Sequence, residues 1–214
     1  MLFARGVLLV EGDAERFLVP AFAAIMGHPL DERGITVCSV SGTNFKPYVK
    51  LLTALNIPYA VITDWDPGDD DDDVALGWDR TRSLVEAGEV IRTGEQPEAL
   101  LKELDAYDDP NRFCDACEEY GIFSNRVTLE IDLFEGAFQA AMLDTLREGE
   151  FGSKRKALIE AWAKKPDTLD AKKFLAMVED IGKGRFAQRL ATRLGKTKPP
   201  KYIASAIDFV VARV

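Results

Sequence analysis

VLLVEGDAERFLVPAF, residues 7–22, decides the reading of the fold. Val7–Val10 is a short apolar run of the kind that forms a buried strand. Glu11 and Gly12 interrupt it, and from Asp13 the residues Phe17, Leu18, Ala21 and Ile25 recur near helical spacing until Gly27 closes the pattern. A strand that passes straight into a helix, with Glu11 and Glu15 at the junction, predicts the start of a βαβ unit.

The next fifty residues keep the rhythm. Ile35–Val40 reads as a second strand. SGTNFKPYVKLLTALNIP, residues 41–58, supplies a glycine turn, an Asn44 cap and a helix with Val49, Leu52 and Leu55 on one face. Tyr59–Thr63 is a third apolar strand. Strands and helices alternating at this spacing predict an α/β fold with a parallel sheet flanked by helices. DPGDDDDD, residues 66–73, breaks the pattern; its like charges repel and it has too few apolar groups to order itself, so a mobile loop is expected. Helical sequence follows from Thr81 to Tyr120, RVTLEI at 126–131 returns to strand character, and from Leu133 the chain is helical. Breaks are expected near Gly149–Gly152, Pro166 and Gly195–Pro200. The expected organisation is an α/β core over 1–73 and 122–150, a helical insertion over 74–121 and a basic helical segment over 151–214.

Composition narrows the class. The 214 residues are 47% hydrophobic and 29% charged, as in ordinary globular proteins. The longest nearly unbroken apolar run, Phe17–Met26, is too short to cross a bilayer, and nothing resembles a secretory leader. Three cysteines form no disulfide framework, which suits the cytoplasm. With a single histidine, His28, metal clusters needing two histidines from one chain are excluded. The net charge of −9 conceals an asymmetry. Residues 1–150 hold 12 Lys and Arg against 30 Asp and Glu, a net of −18; residues 151–214 hold 15 against 6, a net of +9. An acidic site beside a basic docking surface would give this division, and so would two solvated helix faces.

Ligands of open parallel sheets bind beyond the carboxyl ends of the strands. Acids are expected at three such ends: Glu11 after the first strand, Asp64 and Asp66 in AVITDWD after the third, Glu130 and Asp132 in VTLEID after a later one. Glu15, four residues after Glu11, would rise over the same face. So many carboxylates without countercharge raise one another's pKa. Hard divalent cations such as Mg²⁺ or Mn²⁺ remove that difficulty, because they favour oxygen ligands. Two such ions about 4 Å apart activate a water and stabilise the leaving oxygen of a phosphodiester.

At these residues the chain resembles a Toprim domain, through Glu11-Gly12 after the first strand and Asp64-x-Asp66 after the third. More narrowly it resembles the carboxy-terminal Toprim catalytic region of OLD (overcoming lysogenization defect) family nucleases. That likeness rests on LVEGDAERFLVPAF, VSGTNFKPYVKLL, LNIPYAVITDWD, TLEIDLF and GKGRFAQRLA (182–191), which occur in order over most of the chain. The resemblance implies a metal-dependent DNA endonuclease with two Mg²⁺ or Mn²⁺ ions. It further implies an ABC-type ATPase domain ahead of this region, oligomerisation through that domain, and a link to phage defence and DNA repair. The strand that opens almost at once after Met1 fits such a piece. Carried over, Glu11, Glu15, Asp64, Asp66, Glu130 and Asp132 would be metal ligands, directly or through water, with Glu11 and Asp64 central to catalysis. Lys183, before Gly-Arg-Phe, would contact the scissile phosphate or stabilise developing charge. Arg155, Lys156, Lys172, Lys173, Arg185, Arg189 and Arg193 are candidates for DNA phosphate contacts.

Other signals carry less. Cys114 and Cys117 form a lone C-x-x-C without two further zinc ligands at suitable spacing. LATRLGKT, 190–197, ends like a phosphate-binding loop but lacks its first glycine and a leading strand. Ser41-Gly42 reads as a turn that could line the site. VITDWD alone would also suit an aspartyl-phosphate phosphatase, although that leaves Glu11, Glu15 and Glu130 unexplained. A non-catalytic DNA-binding or assembly module is a further alternative. A topoisomerase would need a catalytic tyrosine, and neither Tyr48 nor Tyr202 is marked as one.

Overall fold

In the computed structural model of the protein, which describes residues 3–66, 75–125 and 127–214, four short strands form one parallel sheet. They are β1 (Gly6–Val10), β2 (Ile35–Ser39), β3 (Tyr59–Thr63) and β4 (Ile122–Ser124), in the spatial order β2-β1-β3-β4. Val7, Leu8, Leu9 and Val10 are all fully buried, as a strand covered on both faces requires. Alternation sends Val7 and Leu9 to one face with Val61 and Ile122. It sends Leu8 and Val10 to the other with Ala60, Ile62 and Phe123.

Each face has its own core. The first is covered by α2 (Lys46–Ala54), α3 (Leu76–Thr93), α4 (Glu98–Leu104) and α5 (Pro110–Glu118), through Val49, Leu52, Leu84, Leu104 and Phe113. Cys117 is buried in this core and Cys114 is partly buried beside it, so the C-x-x-C pair sits on the core-facing side of α5. The second face takes α1 (Asp13–Ile25) and the later helices: α6 (Leu129–Glu135), α7 (Gln139–Arg147), α8 (Ser153–Lys164), α9 (Ala171–Ile181), α10 (Lys183–Ala191) and α11 (Lys201–Val211). Phe22, Phe134, Trp162, Phe174 and Ile203 fill that core, each worth roughly 1.5–3 kcal/mol in apolar burial. The basic segment therefore packs on the same sheet as α1. No helix among the described residues is long and apolar enough to cross a membrane.

The register levels the carboxyl ends of the strands. Val10 lies opposite Ser39 and Ile62, and Thr63 opposite Ser124. The chain moves from β1 to β2 on one side and returns to β3 on the other, so a crevice opens beyond β1 and β3.

Three sequence expectations need correction or restriction. Within RVTLEI, the described residues 127–131 are not a strand. Pairing to β3 ends at Ser124, Thr128 is extended as a helix N-cap (φ −139°, ψ 157°), and Glu130 and Asp132 lie in the first turn of α6. Asn44 does not cap α2; the buried Phe45 holds the N-cap position, with no side-chain capping bond. Of the acidic run, residues 67–73 lie outside the described residues, as do Val74 and Arg126.

Candidate metal centre

Glu11 directly follows β1 and is held by the neighbouring strand. Its Oε1 accepts hydrogen bonds from the Thr63 hydroxyl (2.5 Å), the Asp64 backbone N–H (2.9 Å) and Arg80 Nη1 (2.9 Å). The backbone carbonyl of Glu11 accepts from Gly42 N–H (2.9 Å) and Ser39 Oγ (3.3 Å), which brings the 41–42 turn to this edge. Gly12 is the N-cap of α1, and its N–H donates to Glu15 Oε2 at 3.2 Å. That contact folds the Glu15 side chain back over the strand end and buries it.

The Asp-x-Asp turn sends its members to different places. Asp64 Oδ1 accepts from the Asn125 side-chain amide and from Leu129 N–H (3.2 Å), in the first turn of α6, whose N–H groups have no acceptor within the helix. Trp65 packs away from the acids, edge-on to Trp78 and Phe113. Asp66 adopts left-handed backbone (φ +48°), which aspartate tolerates better than most residues, and its Oδ2 takes Arg80 Nη2 at 2.6 Å. Asn125, itself buried, also accepts Trp65 N–H at 2.8 Å and so ties the end of β4 to the turn after β3.

Glu130 is 4% exposed and faces the same crevice, with Lys183 Nζ 3.4 Å from its Oε1. Lys183 opens α10 just after Gly182, whose φ of +92° turns the chain out of α9. Close packing fixes α10 against α1: a Cβ on Gly184 would stand 3.0 Å from that of Asp13.

The acids sense one another. Glu15 is pushed up to about 7, mainly by burial and then by the charges of Glu130 and Glu11, against its backbone hydrogen bonds. Asp64 is pushed up to about 8 by burial and then by Glu11, Glu15 and Glu130, with the Asn125 hydrogen bond opposing. Burial opposes charge on Lys183, yet Glu130, then Asp64 and Glu179, outweigh it and hold its pKa above the usual lysine value. The buried Tyr202 hydroxyl is raised well above the ordinary phenol range, first by burial and then by Asp132, Asp64 and Glu15.

The structure thus brings Glu11, Glu15, Asp64 and Glu130 into one electrostatic group. Asp66 joins through Arg80, Lys183 through Glu130, and Asp132 lies beside Tyr202. The other basic candidates divide: Arg155 pairs with Asp180, Lys173 with Asp170 (2.7 Å), and Arg189 and Arg193 with Glu148, whereas Lys156, Lys172 and Arg185 make no ion pair among the described residues. Sequence reasoning did not find Thr63, Arg80 or Asn125. Only Thr63 left a trace, as a polar residue ending an apolar strand.

The donor chemistry fits hard divalent ions, since every acid offers oxygen and Glu11 Oε2 and Asp64 Oδ2 have no protein donor among the described residues. Even so, no three acidic, histidine or cysteine side chains among the described residues form a ready-made coordination sphere. Arg80, Asn125 and Lys183 hold the acids close to each other without closing one.

A parallel sheet with Glu11 and the Asp64-x-Asp66 turn at its carboxyl edge defines a Toprim domain, and residues 2–66 match the family described as "Overcoming lysogenization defect protein-like, TOPRIM domain". The chain belongs to the OLD family, in its C-terminal Toprim region. It is 40% identical to the C-terminal region of the Burkholderia pseudomallei OLD protein, covering 97% of each chain with a TM-score of 0.79. With the C-terminal region of the Xanthomonas campestris pv. campestris OLD protein it shares 41% identity, over 99% of this chain and 97% of that one, with a TM-score of 0.82. Uncharacterized protein YbjD of Escherichia coli (strain K12) is 38% identical over 65 residues, a match spanning 30% of this chain and 12% of that protein.

Proposed function

We propose that the chain is the metal-dependent DNA endonuclease region of a larger ATPase–nuclease, working in the cytoplasm, with its core over 1–73 and 122–150. The observation that carries this reading is the gathering of Glu11, Glu15, Asp64 and Glu130 at the carboxyl edge of the sheet, where burial first and mutual repulsion second raise Glu15 to about 7 and Asp64 to about 8. Divalent cations reverse that penalty and let Glu15 and Asp64 ionise.

Glu11, Glu15, Asp64, Asp66, Glu130 and Asp132 would hold two ions, Mg²⁺ or Mn²⁺. Bound there, such ions supply the charge that lowers the pKa of an attacking water and stabilises the leaving oxygen of a phosphodiester. The chain's own residues do the positioning. Thr63 and the Asp64 N–H fix one oxygen of Glu11, and Asn125 and the α6 N-terminus fix one oxygen of Asp64. Lys183 meets its partner at only 3.4 Å and is 48% exposed, so it can turn to a phosphate oxygen and offset the charge that develops there. The exposed Lys156, Lys172 and Arg185 would hold the DNA backbone, with an affinity that falls steeply as salt rises.

The test is supercoiled plasmid incubated with the protein in Mg²⁺, Mn²⁺, Ca²⁺ or EDTA, beside Asp64→Ala. Nicking and linearisation with Mg²⁺ or Mn²⁺, abolished by EDTA and by the substitution, is the expected result. Equal cleavage by the variant would assign the activity to a contaminant and remove the proposal. Salt-sensitive DNA retention without any metal-dependent cleavage would favour a binding module instead.

A further inference from the structure

An arginine stands among the acids. Arg80 enters from α3 with its side chain only 13% exposed, and four acceptors surround the guanidinium. Nη1 donates to Glu11 Oε1 (2.9 Å), Thr63 Oγ1 (2.8 Å) and the Asp64 carbonyl (3.0 Å), while Nη2 donates to Asp66 Oδ2 (2.6 Å). One planar cation therefore spans acids from two strands. The docking of α3 puts it there. Leu76 N–H donates to the Asp66 carbonyl (3.1 Å) and Gly77 N–H to that of Trp65 (2.8 Å), so Arg80, a turn later, is set against the Asp64–Asp66 turn.

We propose that Arg80 is the built-in counter-ion of this site and sets its affinity for divalent ions, holding Glu11 and Asp66 in place while competing for their charge. The inference rests on the metal-binding reading above and assigns a residue and a direction within it. Arginine cannot leave the competition by losing its proton, as a buried lysine can. It must either share the carboxylates with an incoming cation or swing aside. Asp66 is the partner that can yield, being 34% exposed and at the end of a turn, whereas Glu11 is 17% exposed and keeps Thr63 and the Asp64 N–H if Arg80 moves. Arg80 therefore acts through Glu11 and Asp66 as a positioning residue, and the helical insertion that carries it becomes part of the site.

Competition and simple support predict opposite signs. If Arg80 only braces the acids, removing it loosens them and metal affinity falls or stays the same. If it competes, affinity rises although the protein is damaged. The experiment titrates Mn²⁺ into wild type, Arg80→Gln, Arg80→Ala and Arg80→Lys by calorimetry, with the melting temperature in EDTA measured beside it. Trp65, between the two aspartates, gives a second readout by sensitising bound Tb³⁺. Arg80→Gln and Arg80→Ala should melt lower in EDTA yet bind Mn²⁺ about tenfold or more tightly, since the competing positive charge 2.9 Å from Glu11 and 2.6 Å from Asp66 is gone. Arg80→Lys, whose shorter ammonium spans fewer acceptors and can lose its proton, should fall between wild type and Arg80→Gln. Should Arg80→Ala fail to fold, Arg80→Gln retains a donor and carries the same comparison. Unchanged or weaker Mn²⁺ binding in the Gln variant, with wild type binding normally, overturns this inference alone. A wild type that binds no Mn²⁺ overturns the metal-binding reading and this inference with it.

Discussion

The two faces of the sheet each send one cation to the carboxyl edge, and the two are held very differently. Arg80 comes from α3, is almost covered, and makes four hydrogen bonds to three residues' side chains and one carbonyl. Lys183 comes from α10 on the opposite face, is half exposed, and touches Glu130 at 3.4 Å. A forked guanidinium bound on two edges is a fixture, whereas a single ammonium on a flexible stem is a movable point charge. Fixed charge tunes what the acids will bind. Movable charge can follow a phosphate whose own charge is changing.

The largest expected effect breaks or confirms that division. Lys183→Ala should slow plasmid nicking by about 10²–10³-fold, the usual loss when one donor to a developing oxyanion is removed. Its Mn²⁺ affinity should change less than that of Arg80→Gln, because a single long contact neutralises Glu130 only weakly. Single-turnover nicking and calorimetry measured on both variants decide the matter. If Lys183→Ala alters affinity and spares the rate, the two cations have been assigned the wrong way round.

How much of this edge was legible depends on whether the information was local. Glu11 and Asp64 each follow an apolar run directly, so their positions at strand ends could be read from a few residues. Their meeting could be inferred only from parallel order, and the register supplies it by placing Thr63 one step beyond the Val10–Ile62 pair. RVTLEI misled because Val127, Thr128 and Ile131 favour strands. Tertiary context overrode that preference: the ladder stopped at Ser124, and the Leu129 N–H found the Asp64 carboxylate as the first turn of a helix. Arg80 was illegible for a further reason. By sequence it differs in no way from Arg82 two residues on, which points outward and pairs with Asp105. Only the rotation of α3 distinguishes a counter-ion from a surface charge.

The acids that pair with no cation among the described residues offer a second probe. Glu15 and Asp64 lie near 7 and 8 because burial and neighbouring charges disfavour ionisation in the fold. Their folded pKa values exceed the unfolded ones near 4, so the stabilisation they contribute is complete below that range and is lost as pH rises toward 8. In EDTA the melting temperature should therefore fall between about pH 5 and pH 8, by the linkage of two groups that the unfolded chain holds ionised. Saturating Mg²⁺ should remove the fall, and Mn²⁺ affinity should drop by up to about tenfold for each bound proton displaced per pH unit below 7. Asp64→Asn should flatten the EDTA profile. A melting temperature independent of pH in wild type would show that burial and neighbouring charge do not disfavour ionisation of these acids as their placement requires.

The smallest expected effect tests how Arg80 is delivered. Gly77 lies so close to the Asp64–Asp66 turn that a Cβ would stand 2.3 Å from the Trp65 carbonyl oxygen and 2.8 Å from its carbon and Cα. These are backbone atoms and cannot rotate away, so in Gly77→Ala the first turn of α3 must lift. Overpacking of this kind costs about 1–3 kcal/mol, measurable by urea unfolding. Gly152→Ala is the control: a Cβ there meets nothing within 4 Å, and only the poorer N-cap of α8 should cost stability, by less than about 1 kcal/mol. Because Arg80 rides on the turn that lifts, Gly77→Ala should also tighten Mn²⁺ binding, though by less than Arg80→Gln. If Gly77→Ala loses stability with Mn²⁺ affinity unchanged, α3 and the strand-end acids are mechanically separate, and α3 only covers the sheet.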